Sequence, residues 1–285
     1  MSLRRFLEAP DARNPGLSGH LIGVAAGMAT ALLVVLPAAW LWTGPTVGAR
    51  LGAFLLLGLG TVATLAGAGG VLIVARWQGR RPASLAGPGF SAGSIAAGFA
   101  LFGVIGAAFL GLAFWADGTP LVWRIEPTRL IYAGCGLVAM LGIAAAEEVV
   151  FRAYLPQGLR TRLPAGVTVV VAAVFFGLLH GLGEGWAGVA YRVLLALGMF
   201  WAIAVTGNIG AAIGAHAANN VMAVIMVPVD RPGSSLALIE LPGTAEGLDI
   251  WSVVTLGFRC VLFIVALQLW QRHCHKRLEI TERPR

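Results

Sequence analysis

Glu147 and Glu148 stand side by side in the run Leu-Gly-Ile-Ala-Ala-Ala-Glu-Glu-Val-Val-Phe-Arg, residues 141–152. An apolar run of this kind belongs in a bilayer, where a centrally placed acid costs about 3 kcal/mol on insertion scales and marks function by default. Two adjacent carboxylates with Arg152 nearby point to acid–base chemistry inside the membrane. Residues four apart share a helix face, and Glu148 and Arg152 are so spaced, with the acid first, the favourable order for an ion pair. Glu147 is rotated by about 100° from Glu148. Glu148 therefore reads as the structural partner of Arg152, and Glu147 as the group left free for chemistry.

The elements that must position these residues are membrane helices. The 285-residue chain is 58% hydrophobic and 12% charged, with a mean hydropathy of +0.83. A soluble domain carries about twice that charge. The composition predicts an all-α, polytopic membrane protein folded as a single integral membrane domain over residues 1–285, with tails at 1–20 and 272–285. Segments of about 20 apolar residues number eight, at roughly 21–42, 51–75, 90–115, 130–159, 165–182, 187–205, 208–227 and 250–271. The formal charge of +7 does not signal nucleic acid. Of the 20 basic residues, thirteen fall on one side of this topology, among them Arg4, Arg5, Arg13, Arg76, Arg80, Arg81, Arg160 and Arg162, and four, including Arg129 and Arg231, on the other. The positive-inside rule then places both termini in the cytoplasm, with residues 228–249 as an external loop carrying Asp230, Glu240, Glu246 and Asp249. Lys276 is the only lysine among the 20 basic residues, a bias toward arginine that points to a GC-rich bacterial genome, and the expected location is the bacterial inner membrane. Cys135, Cys260 and Cys274 show no paired spacing and read as apolar fillers.

Counting residues gives depths. If the fourth span runs to Arg160, Glu147 lies about 20 Å from that end, and His180, entering on the fifth span, lies about 22 Å from the same side. His216 and Asn220 on the seventh span lie about 12 to 18 Å deep. Four polar positions on three helices thus converge on one layer open toward the cytoplasm. His216 and Asn220 share a face, as do Phe176 and His180, which sets an aromatic ring against the imidazole.

The ordered motifs Glu-Glu-x-x-x-Arg (147–152), Phe-x-x-x-His (176–180) and His-x-x-x-Asn (216–220) resemble those of the CPBP family, the Rce1-like CAAX-processing and bacteriocin-immunity group of intramembrane glutamic endopeptidases. The resemblance covers a catalytic core of about residues 130–227. It implies an Rce1-like bundle in which Glu147, with His180, activates water, while His216 and Asn220 stabilise the oxyanion. Glu148, Arg152 and Phe176 would support them. The implied partners are the lipid bilayer and a membrane-embedded or lipid-anchored peptide substrate, of CAAX type in the best-known relatives. No cofactor is called for. Members of this group have also been read as metalloproteases, however, and Glu147, His180 and His216 are chemically able to ligate zinc or another divalent metal. The His-Glu-x-x-His signature of helical zinc proteases is absent.

Other readings use the same residues. The charges could form a purely structural ion cluster, and the histidines and Asn220 could be ordinary interhelical hydrogen bonders. A non-catalytic protein of the same fold, acting in bacteriocin-type immunity or partner binding, is the alternative function, with a small transporter behind it. Gly-Phe-Ser-Ala-Gly, residues 89–93, matches the nucleophile-elbow string, but it opens a membrane helix, where Ser91 is better placed as an N-cap. Glu184 is expected to pair within the next span, and Arg192 and Arg259 to snorkel or form ion pairs.

Overall fold

The computed structural model describes residues 3–8, 15–41, 49–118, 120–229, 235–242 and 248–281. Arg13, Asp230, Arg231 and Glu246 lie outside the described residues. The chain is 84% helical, and the expected all-α architecture is observed. A short α1 (Leu3–Leu7) precedes α2 (Gly16–Leu41), α3 (Ala49–Trp77), α4 (Pro82–Ala86) and α5 (Ala92–Asp117). Then come α6 (Pro127–Glu148), a π-helical turn (Val149–Tyr154), α7 (Leu155–Leu159), α8 (Ala165–Gly181), α9 (Gly185–Thr206), α10 (Gly210–Ile225) and α11 (Ile250–Thr281).

Each expected apolar segment is helical, but among the described residues six stretches are long and apolar enough to cross a membrane. Two segments account for the difference. Residues 165–206 form one 42-residue stretch that a 3₁₀ turn at Leu182–Glu184 divides into α8 and α9. The 16-residue α10 falls short by length. It need not match the bilayer, because every residue from Gly210 to Asn219 is buried, against α5, α6 and α9.

That burial is possible because α10 is built of small residues. A Cβ on Gly98 of α5 would collide with the Ala211 carbonyl, and one on Gly214 would collide with that of Ile95. Close backbone approach of this kind is how small residues drive helix association in lipid. Ser91 caps α5 through a reciprocal box with Ser94, the role its position predicted.

The fourth segment is not a continuous α-helix. Pro156 has no N–H to donate, and in α geometry its ring would strike the carbonyl of Arg152. The chain answers by widening into the π turn, where the Leu155 amide donates to Val150 O, five residues back. Such turns recur at functional sites, and this one starts directly after Glu148.

Two connectors are more structured than expected. The segment between α10 and α11 supplies β2 (Met226–Val229) and β3 (Ile239–Pro242), and with β1 (Val122–Trp123) they form a sheet ordered β1-β3-β2. Glu240 draws this cap inward. Its carboxylate lies 3.0 Å from Arg129 Nη1 and 3.1 Å from Arg124 Nε, and both Glu240 and Arg129 are buried. At the opposite, arginine-rich end, the N-terminal segment expected to be a polar tail buries Phe6 and Leu7 in the core. There Arg4, and then Arg160, hold the Glu8 carboxyl below its usual range by hydrogen bonding and charge.

Candidate active site

The site is built where the end of α6, the π turn, α8 and α10 meet. Glu147 projects between two imidazoles. His180 Nε2 lies 3.7 Å from its Oε1, and His216 Nε2 lies 3.5 Å from its Oε2. Each ring is oriented through its other nitrogen. His180 Nδ1 is 2.9 Å from the Phe176 carbonyl, an acceptor only, so that nitrogen carries the proton. His216 Nδ1 is 2.7 Å from Glu148 Oε1. Both Nε2 atoms are thereby aimed at one carboxylate, as second partners orient working histidines.

Glu148 is fully buried between His216 and Arg152, whose Nε is 3.4 Å from Oε2. The Arg152 guanidinium lies with its carbon 4.0 Å over the Phe176 ring. A desolvated stack of this sort is worth about 2 kcal/mol. Phe176 is the hub of the site. Its ring also meets His180 at 4.3 Å between centroids and His216 at 5.9 Å. The i,i+4 spacing in α8 delivers Phe176 and His180 to this hub from one face.

A cavity of about 270 Å³ opens beside Glu147 and His180. Val24 and Met28 of α2, Ala63 and Thr64 of α3, and Phe175 and Leu179 of α8 line it. The Glu147 carboxylate is 14% exposed and the His180 ring 34% exposed, whereas His216 is at 2%. Chemistry on a ligand in this cavity therefore falls first to Glu147 and His180. A larger groove of about 560 Å³ between α9 and α11 contains none of the candidate residues.

The structure thus brings together Glu147, Glu148, Arg152, Phe176, His180 and His216. Asn220 is half-buried, and among the described residues it has no hydrogen-bond partner. Its neighbour Asn219 is instead engaged, accepting from the Tyr191 hydroxyl at 3.0 Å, a bond that nothing in the sequence singles out. Glu184 pairs with Arg192 at 2.8 Å as expected. A second polar network also escaped sequence reasoning. At the arginine-rich end, buried Arg80 bonds to His20 at 2.9 Å and to Gln157, while Tyr154 donates to Gln78 at 3.1 Å. It fastens the segment after the π turn to α2 and α3.

Among the described residues no three His, Cys, Asp or Glu side chains are grouped so as to hold an ion. The nitrogens approach opposite oxygens of Glu147.

This geometry lies within a recognisable stretch of sequence. Residues 129–222 match the Rce1-like family. The matching family model is described as type II CAAX prenyl endopeptidase Rce1-like, and it spans every residue of the Rce1-like constellation from Glu147 to Asn220. The chain is also similar to the uncharacterized protein YyaK of Bacillus subtilis (strain 168), 37% identical over 115 residues. That match covers 36% of this chain and 37% of the relative, little more than a third of its length. No solved structure matches.

Proposed function

We propose that the protein is an intramembrane endopeptidase of the bacterial inner membrane that hydrolyses peptide bonds of membrane-embedded or lipid-anchored substrates, with both of its termini cytoplasmic. One observation carries this reading: a carboxylate bracketed by two imidazole Nε2 atoms at the polar end of an apolar cavity. Hydrogen-bond reach between a base and its water is the first requirement of general base catalysis.

In the proposed reaction, water binds between Glu147 and His180. Glu147 takes one proton as the water oxygen bonds to the scissile carbonyl carbon, and the carbonyl oxygen becomes an oxyanion. Asn220 donates to it through its amide. His216 is tied at Nδ1 to Glu148, so it donates through Nε2 only when both ring nitrogens carry protons, with Glu148 as the counter-charge once Glu147 has taken the proton from water. Preorganised donors of this kind are usually the largest contributors to acyl-transfer catalysis. Collapse breaks the C–N bond, and the proton held by Glu147 passes to the leaving amine. Glu148 and Arg152 hold the frame. No metal takes part in any step.

The test is to express Glu147→Ala and His180→Ala in native membranes. Inserted but inactive variants support the proposal. Full activity in either one refutes it. The Glu147→Gln form, incubated in the same membranes, should retain uncut substrate that mass spectrometry can identify.

A further inference from the structure

Arg259 is a cation in α11 that the catalytic reading leaves unused, and among the described residues it forms no ion pair with an acid. Its guanidinium carbon lies 4.8 Å over the Phe102 ring of α5. The absence of a side chain at Gly106 makes its room, since a Cβ there would come within 2.7 Å of Arg259 Nη2. The same guanidinium sits beside the Tyr191 hydroxyl of α9, and that hydroxyl donates to Asn219 Oδ1 of α10 at 3.0 Å. A polar chain therefore crosses three helices, α11 to α9 to α10, in surroundings where a charge is expensive.

Its end point falls beside the site. Asn219 and Asn220 lie on either side of His216 around α10, about 60° and 40° away. The α10 surface between Gly210 and Ala218 otherwise consists of Gly and Ala apart from Ile213 and His216. Gly210 and Gly214 seat one face of this helix against Ser94 and Ile95 of α5. His216 bonds toward α6, and Asn219 bonds toward α9. Two directional bonds to different helices thus add to the α5 contact in setting the rotation of α10.

We propose that Tyr191, backed by Arg259, is a positioning residue, whose bond to Asn219 holds α10 at the rotation that seats His216 against Glu148 and Glu147. The placement of His216 stands on geometry alone; its effect on hydrolysis rests on the endopeptidase reading above. The experiment is ¹⁵N-imidazole NMR of the full-length protein in lipid nanodiscs, with His216 assigned by its loss in His216→Gln. Tyr191→Phe should abolish the hydrogen-bonded Nδ1 signature of His216 and leave His180 unchanged. Asn219→Asp, which keeps an acceptor, should retain the signature. Should Tyr191→Phe fail to insert, Asn219→Leu carries the same test. An unchanged His216 signal overturns the proposal, even if thermal stability falls, because Tyr191 is then a packing residue only.

A pool of fluorogenic, membrane-anchored peptides given to the same samples separates the two readings. If the unaltered protein cleaves the pool, Tyr191→Phe should lower the rate roughly tenfold, the factor expected for one lost net hydrogen bond, at unchanged KM. If it cleaves nothing, the endopeptidase reading fails and the NMR result still decides the role of Tyr191.

Discussion

His216 Nδ1 lies 2.7 Å from Glu148 Oε1, and through this bond the buried Glu148–Arg152 pair reaches α10. The two adjacent glutamates thus have different neighbours. Glu148 is enclosed by a ring and a guanidinium, and Glu147 borders the cavity.

That division predicts opposite phenotypes. Glu148→Gln leaves Arg152 buried without its counter-charge, and breaking a buried pair in this way costs about 3–5 kcal/mol. Its thermal midpoint in detergent should fall sharply. Glu147→Gln should keep its midpoint and lose about a hundredfold or more of any hydrolysis, the contribution of a general base. Equal destabilisation by the two changes would contradict the assignment.

Pro156 is the residue that widens the helix after Glu148. Pro156→Ala allows the turn to close to α geometry and restores a backbone donor, a change worth about 3 kcal/mol in a helix interior. We expect a midpoint that is unchanged or higher, together with loss of hydrolysis as Arg152 rotates away from Phe176. A fully active variant would show that the π turn is incidental.

Chelation tests the metal question directly. Because the donors around Glu147 are not grouped to hold an ion, activity should survive extended dialysis against a strong chelator. Loss on dialysis with recovery on adding zinc would show instead that Glu147, His180 and His216 act as ligands.

The cap on the far side depends on a buried carboxylate. Glu240→Ala removes the buried partner of Arg129 and leaves it Glu126 at 3.7 Å and the Ala237 carbonyl, and unfolding free energy should drop by about 3 kcal/mol, the low end for a broken buried pair. Protease nicking within residues 226–242 of reconstituted protein should accelerate. Unchanged nicking would mean that strand pairing alone holds the cap.

The paired glutamates and His180 were legible in the sequence for a physical reason. A polar residue in an apolar run declares itself, and rise per residue converts position into depth. Counting back along one span and forward along the next from the same side put Glu147 and His180 at one level, and their side chains meet at 3.7 Å. Rotation was harder to read. Whether Asn219 or Asn220 is engaged depends on how α10 sits among α5, α6 and α9, which the sequence of α10 does not encode. The cap was hidden as well, because the partners of Glu240 lie more than 100 residues away at Arg124 and Arg129. Phe6 and Leu7 looked like part of a polar tail, since their burial depends on the helices that receive them.

The cavity beside Glu147 draws its walls from two sources. Phe175 and Leu179 belong to the stretch that carries the reacting groups, whereas Val24, Met28, Ala63 and Thr64 come from α2 and α3, outside residues 129–222. On the proposed reading, chemistry and selectivity are therefore written in different parts of the gene. Mutations in the first 80 residues would then retune what the cavity accepts without touching Glu147 or His180. Descendants of one ancestor could then keep one carboxylate–imidazole centre and still diverge in what they admit to it.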